Sequence, residues 1–147
     1  MILTAKDWTL LVIAAAKDHS LSPVQLQKAL FLIARNLTDA QRCTTSFYDF
    51  RPYDYGPFSA EVYRDAERLR AEGLVIIDPS SGFAYRDYAA TAAGIERASL
   101  LRSQLDPSVC EYLDSMVAWV RSLSFNALVQ AIYRDYPEMR ANSVFRN

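Results

Sequence analysis

Apolar positions recur at helical spacing along most of this chain, and two short stretches break that rhythm. Near the start, Trp8, Leu11, Val12 and Ala15 fall on one face, and Leu10, Ile13 and Ala14 widen it, which predicts a helix buried on most sides. Thr4 stands where it caps this helix, with Asp7 three residues on in the reciprocal position of a capping box. The second helix has the clearest start. Ser22 is a good N-cap, Pro23 suits the first helical position and Gln25 completes a capping box. Leu26, Ala29, Leu30, Ile33, Ala34 and Leu37 then follow at helical intervals, and the helix is expected to end over residues 36–39.

Residues 44–52 are rich in β-branched and aromatic types, which predicts a short strand over Phe47–Phe50. The following Arg51-Pro52-Tyr53-Asp54-Tyr55-Gly56-Pro57 reads as turn chemistry. Ser59 is placed to cap a third helix over Ala60–Glu72, with Val62, Tyr63, Ala66 and Leu69 inward and Gly73 as its stop. Leu74-Val75-Ile76-Ile77 reads as a strand, 78–82 as a turn and 83–88 as the returning strand of a hairpin. Thr91 caps a fourth helix to about Ser103, with Ala92, Ile95, Ala98 and Leu101 or Leu105 inward. Asp106-Pro107 starts a fifth, whose stripe is Val109, Tyr112, Leu113, Met116, Val117 and Val120. Ser124 caps a sixth with Phe125, Leu128, Val129, Ile132 and Tyr133 inward, until Pro137 ends or kinks it. Residues 139–147 are expected to form a helical turn or a docked tail, which packs on its own chain or exchanges with a second copy.

This order predicts a mainly α protein with a small β-hairpin. It is the layout of a winged helix-turn-helix core over 1–103 with a C-terminal helical extension over 107–147, all within a single domain, 1–147. Fold order alone does not define function.

Charge and chemistry narrow the picture. Sixteen Lys and Arg against 17 Asp and Glu leave a net charge of −1, so bulk charge does not indicate a strongly basic nucleic-acid module. Cys43 and Cys110 have no neighbour at metal-ligand spacing, and both read as buried small apolar residues; no metal or other cofactor is expected. The only His, His19, reads as a dipole partner at a helix end, and the Ser and Cys residues lack a base, so no catalytic set is expected and the protein reads as a non-enzyme. Asp49 and Asp54 read as turn carboxylates and not as an acid–base pair. The longest apolar run, Leu10–Ala16, is too short for a membrane span, which takes about 20 residues. With no disulfide framework and no leader pattern, the expected compartment is the cytoplasm.

The densest feature is aromatic: Phe47, Tyr48, Phe50, Tyr53, Tyr55, Phe58 and Tyr63 place 7 of 18 aromatic residues within 17 positions. Tyrosines suit surfaces that are half dry and half wet. The expected partner-binding set is Arg51, Tyr53, Tyr55, Phe58, Tyr63 and Arg64, with Phe47 and Phe58 inside and Tyr53 and Tyr55 at the rim. The alternative is a DNA-binding winged-helix regulator using Arg64, Arg68 and Arg86, dimerised through its last helices. The third helix opposes it with Glu61, Asp65, Glu67 and Glu72 against Arg64, Arg68 and Arg70, and Glu61 and Asp65 stand where they pair with the arginines.

Leu26-Gln27-Lys28-Ala29-Leu30-Phe31-Leu32, Tyr53-Asp54-Tyr55-Gly56-Pro57-Phe58, Glu61-Val62-Tyr63 and Gly73-Leu74-Val75 resemble the Panacea (SocA-like) antitoxin-associated domain family. The resemblance covers roughly residues 22–75, and Tyr55-Gly56-Pro57 with Val62-Tyr63 is its most specific part. It implies a non-enzymatic interaction domain of the toxin-neutralising or proteolytic-adaptor kind, whose partner is another protein such as a toxin or a protease target.

Overall fold

The computed structural model describes residues 2–78 and 86–145. It is mainly helical, with seven α-helices and two small antiparallel hairpins among the described residues. The helices are α1 (Ala5–Ala15), α2 (Pro23–Asn36), α3 (Asp39–Arg42), α4 (Ala60–Ala71), α5 (Ala92–Arg102), α6 (Pro107–Ser122) and α7 (Phe125–Asp135). The hairpins are β1 (Arg51–Tyr53) with β2 (Gly56–Phe58), and β3 (Val75–Asp78) with β4 (Asp87–Ala90). A 3₁₀ turn, Pro137–Arg140, follows α7. No helix among the described residues is long and apolar enough to cross a membrane.

Helix α1 is the central rod. Six consecutive residues from Trp8 to Ile13 are buried, and α2, α4, α5, α6 and β4 all pack around it. One apolar core runs from Leu3 to Phe145 and takes in residues on both sides of the 103–107 break. The start signals read from the sequence hold at most helices. Capping boxes close at Thr4 with Asp7 and at Ser22 with Gln25, and Thr91 and Ser124 accept from the backbone of Gly94 and Ala127. Ser59 departs from this: its side chain makes no capping bond.

Five further expectations are corrected. Residues 47–50 are extended but unpaired, and the pairing begins at Arg51. The segment read as a turn is itself a second hairpin, in which Asp54-Tyr55 is the two-residue loop. The prolines fit because Pro52 and Pro57 face one another. Tyr53 and Gly56 close the loop as a hydrogen-bonded pair, so the next pair out needs no N–H. A short helix, α3, follows α2 with its own capping box, Thr38 and Gln41, and turns off at Cys43 in the left-handed region at φ 59°. Its Arg42 carbonyl accepts from Trp8 Nε1 at 2.8 Å, which ties this corner to the central rod. In α5 the inward residues are Gly94 and Ala98, whereas Ile95 is 46% exposed. Both cysteines are half-buried free thiols.

Gly94 explains the face of α5. A Cβ there would lie 2.0 Å from the Leu74 carbonyl oxygen, inside any real contact distance. That carbonyl also accepts from the Thr91 N–H at 3.0 Å, so it is not free to retreat. The small residue lets α5 close onto the strand and turns Ile95 outward. Asp78, expected in the turn, instead ends β3 opposite Asp87; the rest of the expected turn and most of the returning strand fall in 79–85, outside the described residues, and Asp87 and Tyr88 lie in β4 as expected. Tyr88 also exchanges two 2.9 Å backbone bonds with Leu21, joining the α1–α2 connection to this hairpin.

Gly94→Ala is expected to cost about 2–4 kcal/mol of stability, since backbone must move to admit one methyl group. Urea denaturation measures it.

Candidate protein-docking site

Helix α2 is buried over the whole of Leu26–Ile33, so its two polar residues in that stretch, Gln27 and Lys28, are inside the protein. Gln27 has partners for both ends of its carboxamide. Its Nε2 donates to the Ser59 carbonyl and its Oε1 accepts from the Ser59 N–H, each at 2.9 Å. The uncapped start of α4 is thereby held from α2. One side chain satisfies a buried backbone N–H and fixes the point where β2 passes into α4.

Lys28, 3% exposed, lies under the β1–β2 hairpin. Gly56 sits directly on it at φ 107°, a conformation that glycine adopts readily. A Cβ at Gly56 would be 3.5 Å from Lys28 Nζ and 3.3 Å from Tyr133 Cε1 of α7. The Lys28 ammonium has no hydrogen-bond or ion-pair partner among the described residues. Burial pushes its pKa down from 10.5 to about 7. A cleft of about 200 Å³ lies here, lined by Gln27, Lys28, Tyr53–Phe58 and Tyr63.

Two rows of aromatic rings flank the hairpin. On one side Tyr53 stacks on Phe58 at 5.0 Å, Phe58 meets Tyr63 edge-on at 5.6 Å, and Tyr63 stacks on Tyr88 at 6.2 Å. On the other, Tyr55 meets Phe125 at 5.1 Å, and Phe145 lies 6.3 Å from both Phe125 and Tyr133. The loop end of the hairpin is held by the tail. Val144 N–H donates to the Asp54 carbonyl at 2.9 Å, Ser143 Oγ donates to it at 3.2 Å, and Asn142 Nδ2 donates to the Pro52 carbonyl at 3.2 Å. The tail therefore packs on its own chain.

The six residues expected to bind a partner are brought together around this hairpin, but on two concavities. Tyr53, Tyr55, Phe58 and Tyr63 line the small cleft. Arg51 and Arg64 line a wider groove of about 610 Å³, between the start of α1, residues 46–51 and the start of α4, with Phe58 as the shared wall. Tyr53 and Tyr55 are at the rim as expected, 54% and 41% exposed, and Phe47 and Phe58 are half-buried. On the wall of the groove the Tyr48 hydroxyl donates to Asp65 Oδ2 at 2.5 Å and lies 2.7 Å from Thr9 Oγ1; burial and Asp65 push its phenol far up.

The arginines proposed for DNA are all engaged by carboxylates. Arg64 pairs with Glu61, Arg68 with Asp65 at 2.6 Å and Glu61 at 3.4 Å, and Arg86 with Glu67 at 3.6 Å. The Arg64 bond holds the Glu61 carboxyl below its usual range, and Asp65 raises the Arg68 guanidinium. Arg51 is likewise paired, with Asp49 at 2.7 Å. No family model matches this chain, nor does any curated protein or solved structure.

Sequence reasoning assigned no role to Gln27 and Lys28. The signal lay in the helix pattern, because a run buried from 26 to 33 leaves no solvent face for either. Gln27→Met keeps the volume but strands the Ser59 N–H, and is expected to cost about 1–3 kcal/mol in denaturant unfolding. For Lys28, the unfolded chain holds a proton between about pH 7 and 10.5 that the folded protein has released. Stability is therefore expected to rise with pH across that window, by up to about 1.4 kcal/mol per unit, with the whole cost borne below pH 7. The buried phenols Tyr63, Tyr88 and Tyr112 are raised and act only above their ordinary pKa of 10, where they lower stability as pH climbs. Unfolding midpoints at pH 7 and pH 9 should differ in the wild type and nearly coincide in Lys28→Met.

Proposed function

We propose that this chain is a non-enzymatic protein-interaction domain, antitoxin-like or adaptor-like, that captures a partner protein on the β1–β2 hairpin and the adjoining face of α4. The observation that carries the reading is the exposure of Tyr53 and Tyr55 on a backbone held by Gln27, by Gly56 against α2 and α7, and by the tail. Rings presented on a fixed support lose little freedom when a partner covers them, and such anchors dominate binding energy. The residues that resemble the Panacea family support the same reading, since Gln27 and Lys28 of one segment meet Tyr55-Gly56-Pro57 of the other at this site. On that reading the partner is a toxin or a protease target, the work is done in the cytoplasm, and the elements up to α5 form a winged-helix-like core that α6 and α7 extend.

A DNA-binding winged-helix regulator is the second reading, favoured by the order of α4 followed by the β3–β4 hairpin. The carboxylate partners of Arg64, Arg68 and Arg86 oppose it, because a phosphate would have to displace each one.

Capture from nuclease-treated and untreated host lysate, followed by titration of the purified partner, separates the two. Tyr53→Ala with Tyr55→Ala is expected to weaken the partner at least about 100-fold while the thermal transition is retained. Undiminished binding by the folded double variant would overturn the docking reading. A discrete DNA segment lost steeply as salt rises would establish the second.

A further inference from the structure

Taking the docking reading as its basis, we propose that Lys28 is the floor of a carboxylate-binding cleft, and that the segment docked on the hairpin inserts an acidic side chain, Asp or Glu, between Tyr53, Tyr55 and Tyr63 to reach it. The starting point is a cation with nothing to hold. Lys28 is nearly fully buried, its Nζ reaches the Gly56 backbone at the cleft, and among the described residues no acceptor is hydrogen-bonded or ion-paired to it. A buried ammonium without a partner is costly, and a protein that keeps one has a ready site for an anion. Lysine is also the rarer choice in this chain, at three residues against thirteen arginines. A compact ammonium on a flexible stem suits a single carboxylate, whereas guanidinium would need a planar fork of acceptors.

The cleft selects the occupant. At about 200 Å³ it takes one side chain and not a drug-sized ligand. A chain terminus is a poor fit, because its capture uses clustered backbone N–H groups. Here Pro52 and Pro57 supply none, and the Ser59 N–H is taken by Gln27. A dianionic phosphate would find one cation and the chain's own Asp54 at the same cleft. The ionisable groups that face Lys28 are Tyr53, Asp54 and Tyr55 of the hairpin, Tyr63 of α4 and Tyr133 of α7, and Asp54 makes no ion pair with it.

The test begins with the wild-type full chain and needs no variant. With ¹³C-lysine labelling, the ε-methylene of Lys28 is followed through a pH titration, alone and with N-acetyl-glutamate α-amide or N-acetyl-glutamine α-amide at about 50 mM, a concentration suited to weak contacts. The glutamate probe is expected to shift the Lys28 signal and raise its midpoint by about one unit, as a carboxylate partner does. The isosteric glutamine probe is expected to leave it unmoved. An unmoved Lys28 signal with the glutamate probe, or equal shifts from both, overturns the proposal. Saturation at micromolar probe also overturns it, by making the cleft a small-molecule site.

The second arm uses the captured partner. Lys28→Met is expected to fold, to gain stability at pH 6, and to lose at least about tenfold in partner affinity. Loss in the tyrosine double variant with full affinity in Lys28→Met leaves the docking surface standing and removes the carboxylate; loss in neither removes both.

Discussion

The two hydrogen bonds between the Gln27 carboxamide and the Ser59 backbone govern where the site lies. Ser59 joins the hairpin to α4, and its N–H is buried with the Gln27 oxygen as its acceptor. Because the clamp comes from the middle of α2, the hairpin is pulled down onto that helix. Gly56 then closes on Lys28 with its backbone at φ 107°, a conformation that a side chain would strain. The remaining contacts extend this arrangement. Pro57 follows in β2, Phe58 reaches Tyr63 on α4, and the tail bonds to the loop that is left standing above.

A folded chain gains nothing in stability from an unpaired ammonium at this depth. A methionine in the same place would fill the volume without the desolvation cost. The neighbouring polar groups show what the fold does when stability alone is served. Asp65 is buried but receives Tyr48 and Arg68, and Arg42 is buried but donates to Leu37, Ala34 and Asp39. Arg42 Nε alone of that guanidinium is left without an acceptor, whereas the whole Lys28 ammonium has no partner among the described residues, and it lies beneath the exposed Tyr53 and Tyr55 of the hairpin. Strain of this kind persists where function holds it in place.

Helices were legible in the sequence because each has a start signal and a repeating apolar face, and Thr4, Ser22, Thr91 and Ser124 cap as read. The errors have physical causes. Two prolines in Arg51–Phe58 signal a turn to any local rule, and only the cross-strand partner reveals that they face each other where no N–H is required. The α5 face was misread because Ile95 is more apolar than Gly94, while the close approach of Leu74 makes absence of a side chain the deciding property. Ser59 was read as a cap from its type, but its backbone was already spoken for by a residue 32 positions earlier. The aromatic rim was legible at Tyr53 and Tyr55 as composition plus turn position. The cation beneath it was not, because its meaning depends on a glycine 28 residues away.

The arrangement of charge also separates the two kinds of surface the chain presents. Along α4 the arginines and carboxylates alternate and pair, so their fields largely cancel within a few ångströms and offer little to a line of phosphates. At the loop of the hairpin Tyr53 and Tyr55 are exposed, the exposed Arg51 is paired with Asp49, and the unpaired Lys28 ammonium beneath is nearly fully buried. An ammonium in that position attracts weakly at long range and strongly at contact, since the surrounding medium is poorly polarisable. Such a site does little to steer encounter and much to discriminate once the rings are covered. On the proposed docking reading this favours specificity, because a charge left unmatched at the centre penalises the wrong partner more than the right one gains.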